Sequence, residues 1–272
     1  MTSTPTICDP HHDAVEPAGL DDTGSGEPAL LFVPGWCGAR TVFDPLRTRS
    51  GRHRRALAMD LPEHGTRPRT GRAVGTADVV ADAVDLLDRC GVDRVVPVAL
   101  SHGGWTAIEL RRRLGAHRVP GIVLLDWMVL GPPPGFVDAL VGLQDPETWE
   151  CVRSGLFGMW TSGLDVPALH EYVEDMGSYG ATHWGAAGRE IARSFDIEGT
   201  PLAALARLDE PCPTLHAYAQ PSDDALLAAQ EAWSQSHPWF RVHRLTARSH
   251  FPMFEVPDEM ATVIEEFTCD LV

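Results

Sequence analysis

The sequence predicts one α/β domain: a mostly parallel, doubly wound β-sheet with a helical cap inserted into it. Three observations indicate this fold class. Short apolar runs, such as 29–33 and 95–100, alternate with amphipathic stretches, as expected for parallel strands covered by helices on both faces. The 272 residues are 44% hydrophobic, which is enough to bury such a sheet. Between 131 and 205 the strand pattern stops and aromatic-rich helical segments follow.

The first part of the predicted core, 29–130, repeats a strand, loop and helix pattern. Its apolar runs at 29–33 and 55–60 each end in a loop rich in Gly and Pro. Residues 76–90 carry apolar side chains at helical spacing and are followed by a glycine, a common helix terminator. Two further strands are predicted at 95–100 and 121–125. Ligands of such sheets bind beyond the carboxyl ends of the strands.

The remaining chain divides into the cap and the end of the core. The predicted cap is 131–205, and the core resumes over 206–272. Strand character returns at 213–218 and 240–245, and 258–267 has the pattern of a closing helix.

Composition excludes several classes of function. All 22 basic residues are arginine against 38 acidic ones, for a net charge of −16, which argues against nucleic acid or an anionic membrane as partner. The absence of lysine excludes Schiff-base chemistry. The six cysteines form no CxxC pair, so no zinc site is expected. Residues 1–28 form a polar leader without the features of a signal peptide, and we expect a cytoplasmic protein.

The segment Ala99–Gly103 carries the strongest motif. It nearly matches G-x-S-x-G and lies between a predicted strand and a predicted helix, the context of the nucleophile elbow in the α/β-hydrolase fold. Chain order in that fold is serine, acid, histidine. Ser101 is then the elbow residue, and His250, in the loop before the last helix, is the histidine.

The residue pattern leaves the acid open. Asp126 follows the strand after the elbow, whereas Asp223 and Asp224 follow the next strand, the more usual place in this fold. An aspartate that accepts a hydrogen bond from His250 would fix its tautomer and raise its basicity.

The predicted pocket is aromatic. The backbone N–H groups of His102 and Trp36 are the expected oxyanion donors. The indole of Trp36 narrows the site and favours a flat aromatic ligand. Trp160, Trp184 and Phe136 add aromatic surface in or near the cap.

Several segments together resemble one branch of the fold. They are Gly35-Trp36-Cys37, Ser101-His102-Gly103-Gly104-Trp105, Asp126-Trp127-Met128, His237-Pro238-Trp239-Phe240 and His250-Phe251-Pro252. They resemble the cofactor-independent dioxygenases that cleave 3-hydroxy-4-oxoquinolines and 3-hydroxyquinaldin-4-ones. The resemblance extends from about residue 30 to about residue 267.

The resemblance implies ring opening of a small aromatic N-heterocycle by dioxygen, with release of carbon monoxide and without metal or organic cofactor. It implies that His250 and Asp126 form a base dyad for the substrate 3-hydroxyl. It also implies that Ser101 hydrogen-bonds the substrate instead of attacking it. The N–H groups of Trp36 and His102 would hold the C4 oxygen, and Trp160 would shape the pocket.

Two departures and two alternatives accompany this interpretation. Members of that family carry histidine at the positions of Gly38 and Leu100, so this pocket is expected to be less polar and to accept another ring substituent, such as an alkyl tail. A serine hydrolase using Ser101, His250 and Asp126 is the first alternative. A noncatalytic binder of an aromatic ligand is the second.

Overall fold

The computed structural model describes residues 19–271, and a seven-stranded sheet forms its centre. The strands are β1 (Leu20–Thr23), β2 (Ala29–Val33), β3 (Ala56–Met59), β4 (Val95–Leu100), β5 (Ile122–Leu125), β6 (Thr214–Tyr218) and β7 (Phe240–Arg244). Their order in the sheet is β1-β3-β2-β4-β5-β6-β7. Of these seven strands within residues 19–271, only β1 runs antiparallel to its neighbour. The predicted fold class is therefore confirmed.

Ten α-helices surround the sheet in the part of the chain that the structure describes. They are α1 (Asp44–Ser50), α2 (Thr76–Arg89), α3 (Gly103–Arg118), α4 (Phe136–Gly142), α5 (Trp149–Thr161), α6 (Pro167–Gly177), α7 (Ala181–Glu198), α8 (Pro201–Ala206), α9 (Asp224–Ser236) and α10 (Pro257–Cys269). Because every residue of β2 to β6 is buried, both faces of the sheet must be covered. Helices α1 and α10 share one apolar core with the sheet, and α2 and α3 share the other.

Helices α4 to α8 lie between β5 and β6, where the sequence predicts the cap. Residues of α4, α5, α6 and α7 join the apolar core on one side of the sheet. This layer lies over the end of the sheet at which Ser101 and Asp126 follow their strands. None of the helices within 19–271 has the length and apolarity that a membrane span requires.

The strand β1 was not predicted, because it lies within the segment assigned to the polar leader. Its sequence, Leu-Asp-Asp-Thr, has one apolar residue, and its exposure rises along the strand. An edge strand needs only one buried position and one hydrogen-bonding neighbour, and β3 supplies that neighbour from Met59 to Ala56. The leader's residues 1–18 lie outside the described part of the chain.

Candidate active site

The turn after β4 holds Ser101 in a strained conformation. Its φ of 52° is unusual for a residue other than glycine. Small neighbours make the turn possible, because a β-carbon at Gly103 would lie 2.8 Å from the carbonyl oxygen of Pro34. A β-carbon at Gly104 would collide with the ring of Trp127. The predicted elbow geometry is thus present in the structure.

His250 and Asp126 form a hydrogen-bonded pair at the end of the sheet. Nδ1 of His250 donates to Oδ1 of Asp126 over 2.8 Å. The other carboxylate oxygen accepts from the backbone N–H groups of Ala219, at 2.7 Å, and Gln220, at 3.1 Å. Three donors therefore fix a carboxylate whose side chain is only 1% exposed. With Nδ1 protonated, Nε2 of His250 carries the free lone pair.

The two other candidate acids lie elsewhere. Asp223 caps α9 by accepting from the N–H of Ala225. Asp224 pairs on the surface with Arg244 at 2.6 Å. Of the three aspartates that the residue pattern left open, the structure brings Asp126 to His250.

The loop that carries His250 is tied to both the core and the cap. Within the loop, Glu255 accepts hydrogen bonds from the backbone N–H and the hydroxyl of Ser249. On the core side, His250 is bonded to Asp126. On the cap side, the N–H of His250 donates to the carbonyl oxygen of Trp160 over 2.8 Å. The rings of these two residues are stacked, with centroids 5.2 Å apart. The orientation of the histidine therefore depends on contacts from both layers.

A cavity opens in front of this pair, between the sheet and the cap. Of the residues predicted for the site, those that line it are Trp36, Ser101, His102, Phe136, Trp160, Trp184 and His250. Asp126 lies behind His250 and does not line the cavity. Further apolar lining from the cap was not predicted from the sequence, namely Leu140, Leu143, Leu156, Tyr172, Met176, Ala187 and Ile191. Their helical spacing, such as Tyr172 to Met176, was the available signal.

His102 contributes its backbone and an uncharged ring. Burial, reinforced by the nearby charge of His250, lowers the pKa of His102 from 6.5 to about 3. Its Nδ1 accepts from the indole N–H of Trp127, and its ring stacks on Phe136. It directly precedes α3, a helix end at which backbone N–H groups and the helix dipole favour an anion. The ring thus shapes the cavity without adding a charge at neutral pH.

The two departures from the family pattern have structural counterparts. A β-carbon at Gly38 would collide with the hydroxyl of Tyr172, so the space next to this glycine is already filled from the cap. Burial raises the pKa of Tyr172 above its usual range, which keeps the phenol protonated. Leu100 is buried and forms part of the cavity lining. At these two positions the site therefore has an apolar wall at Leu100 and a neutral phenol beside Gly38.

The thiol of Cys37, next to Trp36 in the sequence, does not compete with Ser101 and His250 for the role of reactive group. Burial raises the pKa of Cys37 well above its usual range, so this thiol next to Trp36 stays protonated. Within residues 19–271, no three His, Cys, Asp or Glu side chains are grouped as metal ligands would be.

Comparisons with known proteins agree with this architecture. The chain belongs to the alpha/beta hydrolase family, whose family model matches residues 30–263. Within that class it belongs to the 3-hydroxy-4-quinolone 2,4-dioxygenases, so the resemblance noted in the sequence is confirmed.

The relatives that define this narrower group match nearly the whole chain. It is 35% identical over 245 residues to the 2-heptyl-3-hydroxy-4(1H)-quinolone dioxygenase of Mycobacteroides abscessus, covering 89% of this chain and 91% of that one. It is 28% identical over 241 residues to the 1H-3-hydroxy-4-oxoquinoline 2,4-dioxygenase of Pseudomonas putida, covering 88% and 91%.

A solved structure shows the same fold. An AqdC variant in complex with its substrate, from work on recognition and ring-cleavage of the Pseudomonas quinolone signal, matches with a TM-score of 0.88. The two chains share 33% identity over 92% of this chain and 95% of the other.

Proposed function

We propose that this protein is a dioxygenase that opens the ring of a 2-alkyl-3-hydroxy-4(1H)-quinolone with dioxygen, using no metal and no organic cofactor. The observation that carries the proposal is the His250–Asp126 pair at an apolar, aromatic-lined cavity. A base in such a cavity suits a flat, weakly acidic ring. The activities of the relatives support the same substrate class.

The first step is removal of the proton from the substrate 3-hydroxyl by Nε2 of His250. The imidazolium that forms is stabilised by the buried carboxylate of Asp126. That carboxylate keeps its orientation because two backbone N–H groups also donate to it. Charge separation in an apolar cavity is favourable only with such fixed partners.

The resulting anion is held by neutral donors. The backbone N–H groups of Trp36 and His102 bind the C4 oxygen, and the Ser101 hydroxyl donates to the oxygen on C3. Within the described residues Ser101 forms no side-chain hydrogen bond with His250, so its hydroxyl is available to the substrate.

Dioxygen then takes electrons from the anion, with one oxygen bonding to C2 and the other to C4. Cleavage of the O–O bond and of both bonds to C3 releases C3 as carbon monoxide with its own oxygen. C2 becomes the amide carbonyl and C4 the carboxylate of an N-acylanthranilate. Both atoms of dioxygen remain in this product, and no external reductant is needed.

The alkyl group of the substrate lies against the cap. The residues of α6 and α7 that line the cavity, Tyr172, Met176 and Ile191 among them, form an apolar surface suited to a hydrocarbon chain. We expect a 2-heptyl quinolone to be turned over with higher kcat/KM than its 2-methyl analogue. Equal values for the two would remove the argument for a tail subsite.

The test is anaerobic mixing of metal-free protein with 2-heptyl-3-hydroxy-4(1H)-quinolone, followed by admission of oxygen. Substrate absorbance and carbon monoxide are recorded, with His250→Ala in parallel. Oxygen-dependent loss of substrate with one carbon monoxide per ring, abolished in the variant, is the expected result. No oxygen uptake with any 3-hydroxy-4-quinolone would overturn the proposal.

The competing function is that of a serine hydrolase, because serine hydrolases of this fold place their nucleophile on a strained turn like the one at Ser101. In that case a fluorophosphonate would label Ser101 and activity on esters would vanish in Ser101→Ala. On the dioxygenase mechanism the same variant keeps part of its quinolone turnover.

A further inference from the structure

We propose that Gln220 is a positioning residue that holds the His250 loop, the cap at Trp160 and the acid Asp126 in one arrangement. The inference rests on the proposed function. Gln220 follows β6, on neither the elbow nor the histidine loop. Its backbone N–H donates to Asp126, while its side chain contacts the end of α5 and the loop that carries His250.

The side-chain amide of Gln220 meets acceptors from two different layers. Its Nε2 donates to the carbonyl oxygen of Arg248 over 2.8 Å, two residues before His250. It also lies 2.6 Å from Oγ of Ser162 and 3.0 Å from the carbonyl oxygen of Met159, both at the end of α5. The hydroxyl of Ser162 itself donates to the carbonyl oxygen of Arg248. One amide thus connects the histidine loop to the cap.

These bonds act on the geometry of the base. The end of α5 carries Trp160, whose ring stacks on His250 and whose carbonyl oxygen accepts from the His250 N–H. If the loop and the helix end separate, the imidazole loses its stacking partner while Asp126 stays fixed by its backbone donors. Nε2 of His250 would then move relative to the substrate hydroxyl. A displacement of about 1 Å of a reacting group lowers the rate by about 100-fold.

The chemistry of this position calls for a donor. The groups around Nε2 of Gln220 are carbonyl oxygens and a hydroxyl whose own hydrogen is already used. Gln220→Met keeps the length of the side chain and removes the donor. Gln220→Glu keeps the shape and places a carboxylate against the same oxygens, which is repulsive.

The experiment compares Gln220→Met and Gln220→Glu with wild type and with Gln235→Met, a matched change at an exposed position of α9. We expect kcat to fall about 10- to 100-fold in both Gln220 variants with little change in KM, since the base is misplaced and the substrate surface is intact. The deficit should shrink at high pH, where the substrate arrives already ionised. Gln235→Met should behave as wild type.

A second readout does not depend on turnover. The Nδ1 proton of His250 gives a downfield NMR signal when it is bonded to a carboxylate, and His250→Ala identifies it. We expect this signal to shift or broaden in the Gln220 variants and to stay unchanged in Gln235→Met. Ser162→Gly, which tolerates the φ of 51° at that position, should produce the same changes to a smaller degree.

Two results would overturn the inference. One is wild-type kcat together with an unchanged downfield signal in both Gln220 variants. The other is a loss of activity that is equal at every pH and accompanied by unfolding in both, which would make Gln220 merely structural. If wild-type protein turns over no quinolone, the proposed function fails, while the NMR comparison still decides whether Gln220 positions His250.

Discussion

Replacing Asp126 by asparagine tests the base dyad, because it keeps the shape of the side chain and changes its hydrogen-bonding groups. Oδ2 of Asp126 accepts from the N–H groups of Ala219 and Gln220, so the single oxygen of the amide must take that place. The amide NH2 then faces Nδ1 of His250 and can only donate to it. His250 is forced into the tautomer with its proton on Nε2, which withdraws the lone pair from the cavity.

The expected loss follows from two effects. Removing a charge-assisted hydrogen bond to the imidazolium costs about 1.5 to 3 kcal/mol, or about 10- to 100-fold in rate. The inverted tautomer adds to this, and in a Ser-His-Asp triad the same substitution lowers kcat by about 10⁴. We therefore expect kcat of Asp126→Asn to be about 10²- to 10⁴-fold lower than that of wild type.

The assay follows substrate loss and carbon monoxide release as a function of pH. At high pH the substrate 3-hydroxyl is ionised before it binds, so the base is bypassed and the gap between variant and wild type narrows. Asp223→Asn is the control, because that residue caps α9 and asparagine is an equally good cap. Near wild-type turnover by Asp126→Asn at neutral pH, or a deficit that does not change with pH, would refute the reasoning.

Three further predictions concern the elbow, the filled space at Gly38 and acid stability. Ser101→Ala should lower kcat/KM about 10- to 100-fold through loss of one hydrogen bond to an oxyanion; complete loss of quinolone turnover would instead point to a nucleophilic serine. Gly38→Ala should destabilise the protein by about 1 to 3 kcal/mol in chemical denaturation, because the new methyl group meets the Tyr172 hydroxyl. Adding Tyr172→Phe to this variant should recover much of the lost stability. If the effects of the two substitutions simply add, the contact is contradicted. Burial lowers the pKa of three histidines from 6.5, to about 4 for His64, about 3 for His102 and about 4 for His216. The folded protein holds these histidines neutral, whereas the unfolded chain takes up protons below about pH 6.5. Their contribution to the free energy of unfolding is therefore complete above about pH 6.5 and is lost as the pH falls towards 4, at up to about 1.4 kcal/mol per histidine and pH unit. A free energy of unfolding that is flat between pH 7 and 5 would refute this.

The core of the fold could be predicted because its signals are local. Strands β2 to β5 are continuous apolar runs, and the elbow at Ser101 needs small neighbours that stand next to it in sequence. His250 could be selected by chain order together with its place in the loop between the last strand and the last helix. The edge strand β1 escaped because one buried leucine in four residues is not a pattern.

The parts that sequence could not supply depend on contacts between distant segments. Tyr172 fills the space beside Gly38 although more than 130 residues separate the two in the sequence, so neither residue type predicts the contact with the other. Gln220 stands in a polar loop like many others. Its importance comes from acceptors at the end of α5 and on the histidine loop, which only the packed cap brings to it.

The position of the acid shows how one scaffold can support chemistry other than acyl transfer. The loop after β6, where hydrolases of this fold usually place the acid, here supplies two backbone N–H groups and not a carboxylate side chain. Those donors hold Asp126, which follows β5, the strand next to the one that leads into Ser101. The acid is thus fixed by two main-chain donors at Oδ2, and through Oδ1 it orients His250 independently of the serine. A base that does not need Ser101 is what proton removal from a substrate hydroxyl requires, and it leaves the elbow hydroxyl free to bind the anion that forms.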